Sequence, residues 1–409
     1  MKSIIDIIPP MLSGDKLKNN LTVLPEYHEN IRSQNAATRL MTLSDLYKIY
    51  LPSNMSTEIY SKLYLALIHS LQKKLTKAAT IQQYENFKSI KTHEYNGIIG
   101  GSDSFTIIGN SGIGKSSAID RSIKLISENR IIEIQKPYTK IIPCVVVQCP
   151  FDCSVKGLLL EILRKVDETI GSNFYSNALR IRATTDMLIG NVSQVALNHI
   201  GLLIVDEIQN VVNSKGGKTL VKMLTQLINN SGISICMVGT PICKDFFEQE
   251  MYLARRSLGL EYTALKYDEY FYDFCKTVFS YQYTQNKTEI SDGTIYWLYE
   301  HSGGIISIVI SLIHDAQEIA ILNGKEALNI DVLNVAYKNR ISLLHKYIEP
   351  TMNHGNQTAP HKKDTVINTK AQDIKTDFSI ADLAAISKST HTDIIDIIEE
   401  YIAVEVITI

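Results

Sequence analysis

No apolar run in the 409 residues reaches the roughly 18 that a membrane-spanning helix requires. The richest stretch, Ile305 to Ile313, is short and is broken by Ser307 and Ser311. The opening MKSIIDIIPPML places Asp6 inside its apolar portion and has no small-residue cleavage site, unlike a secretory signal. The expectation is a cytoplasmic protein with no membrane partner. Cys144, Cys149, Cys153, Cys236, Cys243 and Cys275 form no C-x-x-C pair, and several sit in apolar runs, so they read as buried reduced thiols. The ten histidines show no H-E-x-x-H or other ligand spacing, which leaves a structural zinc site without support. An excess of either charge is also missing: 41 basic against 43 acidic residues predicts no global attraction to nucleic acid and leaves only a local basic surface. Internal repeats and long low-complexity tracts are absent. With 45% hydrophobic residues the chain is expected to be globular, and its length suggests two or three domains.

Residues 1–95 carry scattered prolines and then Leu63, Leu67, Leu71 and Leu75 four apart, which predicts a helical N-terminal region with a helix from Ser56 to about Lys77. Gly97, Gly100 and Gly101 separate it from residues 96–285, where short apolar runs alternate with amphipathic stretches. The runs Ser104 to Ile108, Ile141 to Gln148, Leu202 to Val205 and Ser234 to Val238 read as strands. An α/β fold follows, with a parallel sheet covered by helices. Residues 286–348 read as helical, with patterns over Ile290 to Glu300, Ile305 to Leu322 and Asp331 to Tyr347. Residues 349–378 are polar and suggest a flexible linker. Residues 379–409 hold two short amphipathic patterns, with Ser379 and Thr390 or Thr392 as helix caps, and suggest a helical partner-binding segment.

Gly109-Asn110-Ser111-Gly112-Ile113-Gly114-Lys115-Ser116 fits G-x-x-x-x-G-K-[ST], directly after the strand SFTII and before a helix-like stretch from Ser117. Backbone N–H groups of such a loop converge on phosphate oxygens at a helix N-terminus, so Gly109 through Ser117 are the expected nucleotide-binding residues. Lys115 would reach the β- and γ-phosphates and Ser116 would ligate Mg²⁺. The segment LLIVDE, Leu202 to Glu207, is a buried strand ending in two carboxylates. In a phosphate-loop protein Asp206 would hold Mg²⁺ through water and Glu207 would act as general base toward the attacking water. Each motif alone has a bland counterpart, a glycine turn or a pair of solvated loop acids; their pairing weighs against both. ATP and Mg²⁺ are therefore the expected cofactors.

Thr240 ends the next predicted strand, where open α/β sheets gather ligand groups, and is the candidate sensor; an ordinary Thr-Pro turn is the alternative. Arg255 and Arg256 close the helical stretch Lys244 to Ala254, and either one is a candidate finger for a neighbouring subunit's nucleotide; a basic helix C-terminus is the alternative. The aromatic stretch from Tyr267 to Tyr283 reads as packing between sheet and helical subdomain, because Asp268, Glu269 and Asp273 interleave it where a base-stacking surface would carry arginines.

A phosphate loop, a VDE strand, a GTP-bearing strand, an arginine pair and a helical lid follow one another in the order found in AAA+ P-loop ATPases. The segments IIPCVVVQCPFDCSVKGLLLEIL, GLLIVDEIQNV, GISICMVGTP, MYLARRSLG and YWLYEHSGGIISIVISL together resemble the TnsC family, AAA+ regulators of target choice in cut-and-paste transposition. The resemblance runs from about Ile4 through Tyr347. The sensor-2 arginine usual in AAA+ lids has no counterpart in Ser302-Gly303-Gly304-Ile305-Ile306-Ser307. The resemblance implies an ATPase whose ATP-bound protomers assemble as a ring or helical filament on double-stranded DNA. It also implies that they link a target-selection protein to the transposase and disassemble on hydrolysis. DNA contact would be to phosphates, with Lys136, Lys140, Arg180 and Arg182 as candidates and plain solvated surface as the alternative. A nucleotide-switched scaffold of the STAND type and an AAA+ replication initiator or loader are the competing functions.

Overall fold

The structure is a computed structural model that describes residues 7–74, 76–92, 96–99, 104–128, 131–135, 138–249 and 259–341. All of them belong to one compact unit, Met1–Asn353; a second unit, His354–Ile409, lies outside the described residues, as do the expected linker and C-terminal segment. At the centre is a six-stranded sheet in the order β2-β3-β4-β5-β1-β6. The strands are β1 (Ser104–Gly109), β2 (Ile132–Gln135), β3 (Tyr138–Gln148), β4 (Ile200–Asp206), β5 (Ser234–Gly239) and β6 (Leu260–Tyr262). Only the β2/β3 pair is antiparallel; β3/β4, β4/β5, β5/β1 and β1/β6 run parallel, with Gln148 opposite Asp206 and Val205 opposite Met237. The expected strands are present, most of them one to three residues longer than anticipated. Edge strands β2 and β6 are additions.

Parallel strands buried on both faces need apolar side chains at every position, and successive ones point to opposite faces. In β4, Leu203 and Val205 pack under α6 (Val155–Ile170), α8 (Thr185–His199) and α10 (Gly217–Ser231), whereas Leu202 and Ile204 face α3 (Asn54–Lys73) and α5 (Lys115–Ser127). Local chemistry starts these helices. Ser154 Oγ accepts the N–H of Gly157 at 3.1 Å to cap α6, and Thr184 caps α8 through Met187. Cys149, Cys153, Cys236, Cys243 and Cys275 are buried and Cys144 is half-buried, all as free thiols. Among the described residues no single helix is long and apolar enough to cross a membrane.

The lid packs as a second core. It comprises α12 (Glu269–Ser280), α13 (Asp292–Ser302), α14 (Ile306–Leu322) and α15 (Ile330–Arg340), with α12 capped by Asp268. Phe271, Phe274, Phe279, Tyr281 and Tyr283 are buried there, so the aromatic stretch fills the interior of the helical subdomain rather than its junction with the sheet. The N-terminal region shares both cores. Leu63 and Leu67 of α3 cover the sheet, while Leu43, Leu46 and Ile49 enter the lid cluster. Arg39, at 1% exposure, holds the Tyr283 carbonyl at 2.9 Å and both carboxylate oxygens of Glu326 at 2.6 and 2.7 Å.

Candidate nucleotide site

The carboxyl ends of β1, β4 and β5 open on one cavity of about 270 Å³. β1 delivers the chain into the loop 110–114, and Gly112 and Gly114 take φ of 80° and 97°, left-handed values that side-chain-bearing residues rarely adopt. The loop then enters α5 at Lys115. Lys115 Nζ curls beneath the loop and donates to the carbonyls of Gly109 and Asn110 at 2.6 and 2.8 Å. Burial pushes its ammonium below the ordinary lysine value, while Asp206, Glu207 and Cys243 pull it the other way.

Ser116 Oγ lies 3.4 Å from Asp206 Oδ2 across the cavity floor. The other oxygen of Asp206 accepts the backbone N–H of Glu207 at 2.8 Å. Two hard oxygen donors, one hydroxyl and one carboxylate, are the ligand type that Mg²⁺ takes, so the pair fits that ion. Glu207 is exposed on the cavity wall and Thr240 stands on the wall supplied by the end of β5. Ser111, Gly112, Gly114, Lys115, Ser116, Ser117, Asp206, Glu207 and Thr240 therefore meet around one space. Gly109 and Asn110 serve from behind it through their carbonyls, and Ile113 is buried at 3% exposure.

Three wall residues escaped the sequence reading: Gln209, Gly239 and Ser307. Ser307 belongs to the first turn of α14, in the stretch where a sensor-2 arginine has no counterpart, and its N–H donates to the Gly112 carbonyl at 3.1 Å. The N-terminus of a long helix thus points at the phosphate loop, a favourable field for anions. A second cavity of about 230 Å³ adjoins the first through Gly112, Gly114, Ser117 and Ser307. Tyr47, Tyr50, Met55, Tyr270 and Ile306 give it a mainly apolar wall, the type of surface that holds a flat ring.

The remaining candidates separate. Lys136, Arg255 and Arg256 lie outside the described residues, and the helix that precedes the arginines is described over Lys244–Gln249. Lys140 is half-buried near the amino end of β3, at the opposite end of the strand from the nucleotide cavity, where its carbonyl is 2.8 Å from His199 Nδ1. Arg180 ends α7 (Phe174–Arg180) and is exposed, as is Arg182, whose φ is 51°. Lys140 and the two arginines thus sit on different elements.

Residues 99–247 match the protein family described as "AAA domain". That match, the six-stranded sheet and the helical lid together give the architecture of an AAA+ P-loop NTPase fold. No curated protein matches the chain. Solved structures similar to it include the ORC2 protein of Aeropyrum pernix in ADPNP-ADP complexes, at 17% identity and a TM-score of 0.38 over 65% of this chain and 68% of that one. The A. pernix ORC1 protein in complex with DNA is similar at 14% identity and a TM-score of 0.42 over 67% and 68%. Domain III of the Thermotoga maritima replication initiation protein DnaA is similar at 13% identity and a TM-score of 0.36 over 68% and 95%.

Proposed function

We propose that this chain is a Mg²⁺-dependent ATPase that regulates DNA transposition by assembling on target DNA. The observation that carries the ATPase part is the convergence of Lys115, the Ser116–Asp206 pair, Glu207 and Thr240 on one cavity beside an apolar one. The triphosphate occupies the first cavity, under the loop amides and Lys115, and the base and sugar occupy the second. Ser116 and Asp206 hold Mg²⁺, which supplies neutralisation of phosphate charge when bound. Glu207 takes a proton from the attacking water, and Thr240 contacts the phosphate end. Arg255 or Arg256 reaches a neighbouring protomer's nucleotide, so assembly and hydrolysis are linked.

The transposition part rests on the ordered string of TnsC-like segments. In it, ATP-bound protomers form a ring or filament on duplex DNA, connect a target-selection protein to the transposase, and come apart on hydrolysis. Arg180, Arg182, Lys136 and Lys140 are the proposed phosphate-contacting cations, giving salt-sensitive binding without sequence preference. Electron microscopy of the purified chain with a slowly hydrolysed ATP analogue, with and without random-sequence duplex, tests this, with Lys115→Ala as control. Rings or filaments that need both nucleotide and DNA, and vanish in Lys115→Ala, are expected. Oligomers indifferent to DNA would replace the proposal with a signalling scaffold; activation of a transposase by the assembly separates a transposition regulator from a replication loader.

A further inference from the structure

Gln209 follows Glu207 by two residues and lines the same cavity. At Glu207 the chain adopts φ of 57°, a left-handed turn that is uncommon for a residue with a side chain. Ile208 behind it is fully buried and donates its N–H to the Val238 carbonyl at 2.9 Å, which fixes the turn to β5. With that anchor in place, the Gln209 side-chain amide donates from Nε2 to Glu207 Oε2. An ionised carboxylate only accepts, so the amide's nitrogen end must face Glu207 and its carbonyl end must face elsewhere.

That carbonyl oxygen, Oε1, is buried and has no hydrogen-bond partner among the described residues. It lies against the end of β5, where a Cβ added at Gly239 would stand 3.0 Å away. The other buried polar side-chain atoms without a partner belong to residues that line neither cavity, such as Ser193 and Asn230. Buried acceptors are ordinarily paired, so an unpaired one on a residue that lines a reaction cavity points to a donor that arrives with the substrates.

We infer that Gln209 is the residue that positions the attacking water for ATP hydrolysis, an inference that rests on the ATPase reading above. Glu207 Oε2 is occupied by the Gln209 amide, which leaves Oε1 of the same carboxylate for the water. One water proton is directed to that oxygen and the other to Gln209 Oε1, so the lone pair on the water is aimed at the γ-phosphorus. As the water oxygen bonds to phosphorus, the bond from phosphorus to the bridging oxygen of ADP breaks. One proton passes to Glu207 and the other leaves with inorganic phosphate. Gln209 gains and loses no proton; it acts by orientation, as a glutamine does in other phosphate-loop hydrolases.

The test uses the full chain with random-sequence duplex DNA, measuring ATP turnover, nucleotide affinity and thermal melting. Gln209→Met preserves length and bulk but removes donor and acceptor together. It is expected to lower kcat by roughly 10²-fold while KM, nucleotide affinity and melting stay close to wild type. Gln209→His restores one donor and one acceptor and is expected to recover about tenfold of that loss. A merely structural glutamine would show the reverse pattern, with affinity or melting changed and no advantage of His over Met. Turnover by Gln209→Met within about threefold of wild type, or equal turnover by the two variants, overturns the inference. A wild-type chain that binds ATP without hydrolysing it overturns the ATPase reading itself, and that result is visible before any variant is compared.

Discussion

Replacing Gly112 by alanine tests the contact between the phosphate loop and the lid. Gly112 has φ of 80°, and a Cβ there would stand 2.3 Å from Ser307 Oγ and 2.9 Å from Ile305 Cγ2. The left-handed backbone costs a side-chain-bearing residue about 1 kcal/mol. Rotating the Ser307 hydroxyl away leaves the Ile305 methyl in place, so the first turn of α14 has to shift, and overpacking of this kind costs about 1–3 kcal/mol. Gly112→Ala is therefore expected to lose roughly 2–4 kcal/mol. Ser307→Gly in the same chain should return about 1 kcal/mol of the steric part while leaving the backbone part untouched. Trp297, the only tryptophan, packs against the lid core, so urea unfolding followed by its fluorescence reads the affected region. Full additivity of the two substitutions, or a Gly112→Ala protein as stable as wild type, would refute the proposed loop–lid contact.

Glu207→Gln should bind ATP normally and hydrolyse it at least 10²-fold more slowly, leaving DNA assemblies that persist when free ATP is removed; dissociation at the wild-type rate counts against Glu207 as the base. The Arg39 guanidinium holds the Glu326 carboxyl below the ordinary carboxylate range, opposed by its burial. The unfolded chain therefore takes up that proton first, and the stability due to the pair, present above the ordinary range, is lost as pH falls through the lowered value; Glu326→Gln should flatten this part of a urea-midpoint profile. Arg39→Ala leaves the partly buried carboxylate without its partner and should cost about 3 kcal/mol in urea unfolding. Lys74 is buried, and its Nζ donates to the carbonyls of Ala196 and Leu197 at 2.9 and 2.6 Å. Burial pulls its ammonium down to about 7, so the unfolded chain holds more protons above that value and stability should rise with pH toward the ordinary lysine range. Lys74→Met should abolish that slope.

What the sequence revealed follows from how local each signal is. The phosphate loop is contiguous, and its glycines, lysine and serine answer one geometric demand, so its letters suffice. Strands β1, β3, β4 and β5 are apolar runs bounded by turn formers because both of their faces are covered. Strands β2 and β6 sit at the two sheet edges and span four and three residues, too short for alternation to register. The apolar cavity was illegible for a different reason: Tyr47, Tyr50, Tyr270 and Ile306 come from distant segments and look like ordinary packing residues until folding brings them together. Gln209 adjoins a motif, yet only the direction of its amide and the lack of a donor at its oxygen distinguish it from any polar residue after a strand. Ser307 sat within a stretch noticed for an arginine it does not have, and its contact with Gly112 emerges only in three dimensions.

The placement of the N-terminal region across both cores has a consequence for biosynthesis. Arg39 meets Glu326 at a sequence separation of 287, and the Ala66 carbonyl is held by Ser234 Oγ at a separation of 168. A nascent chain is made from its amino end, so Ile59, Leu63 and Leu67 emerge long before the strands that cover them. This segment thus waits for partners made well after it, and loop closure over such separations makes folding slow. A chain begun at residue 96 would strip α3 from the face of Phe105, Ile107 and Ile204 and leave it only partly covered by α5, so this core is expected to aggregate when expressed without its lead-in.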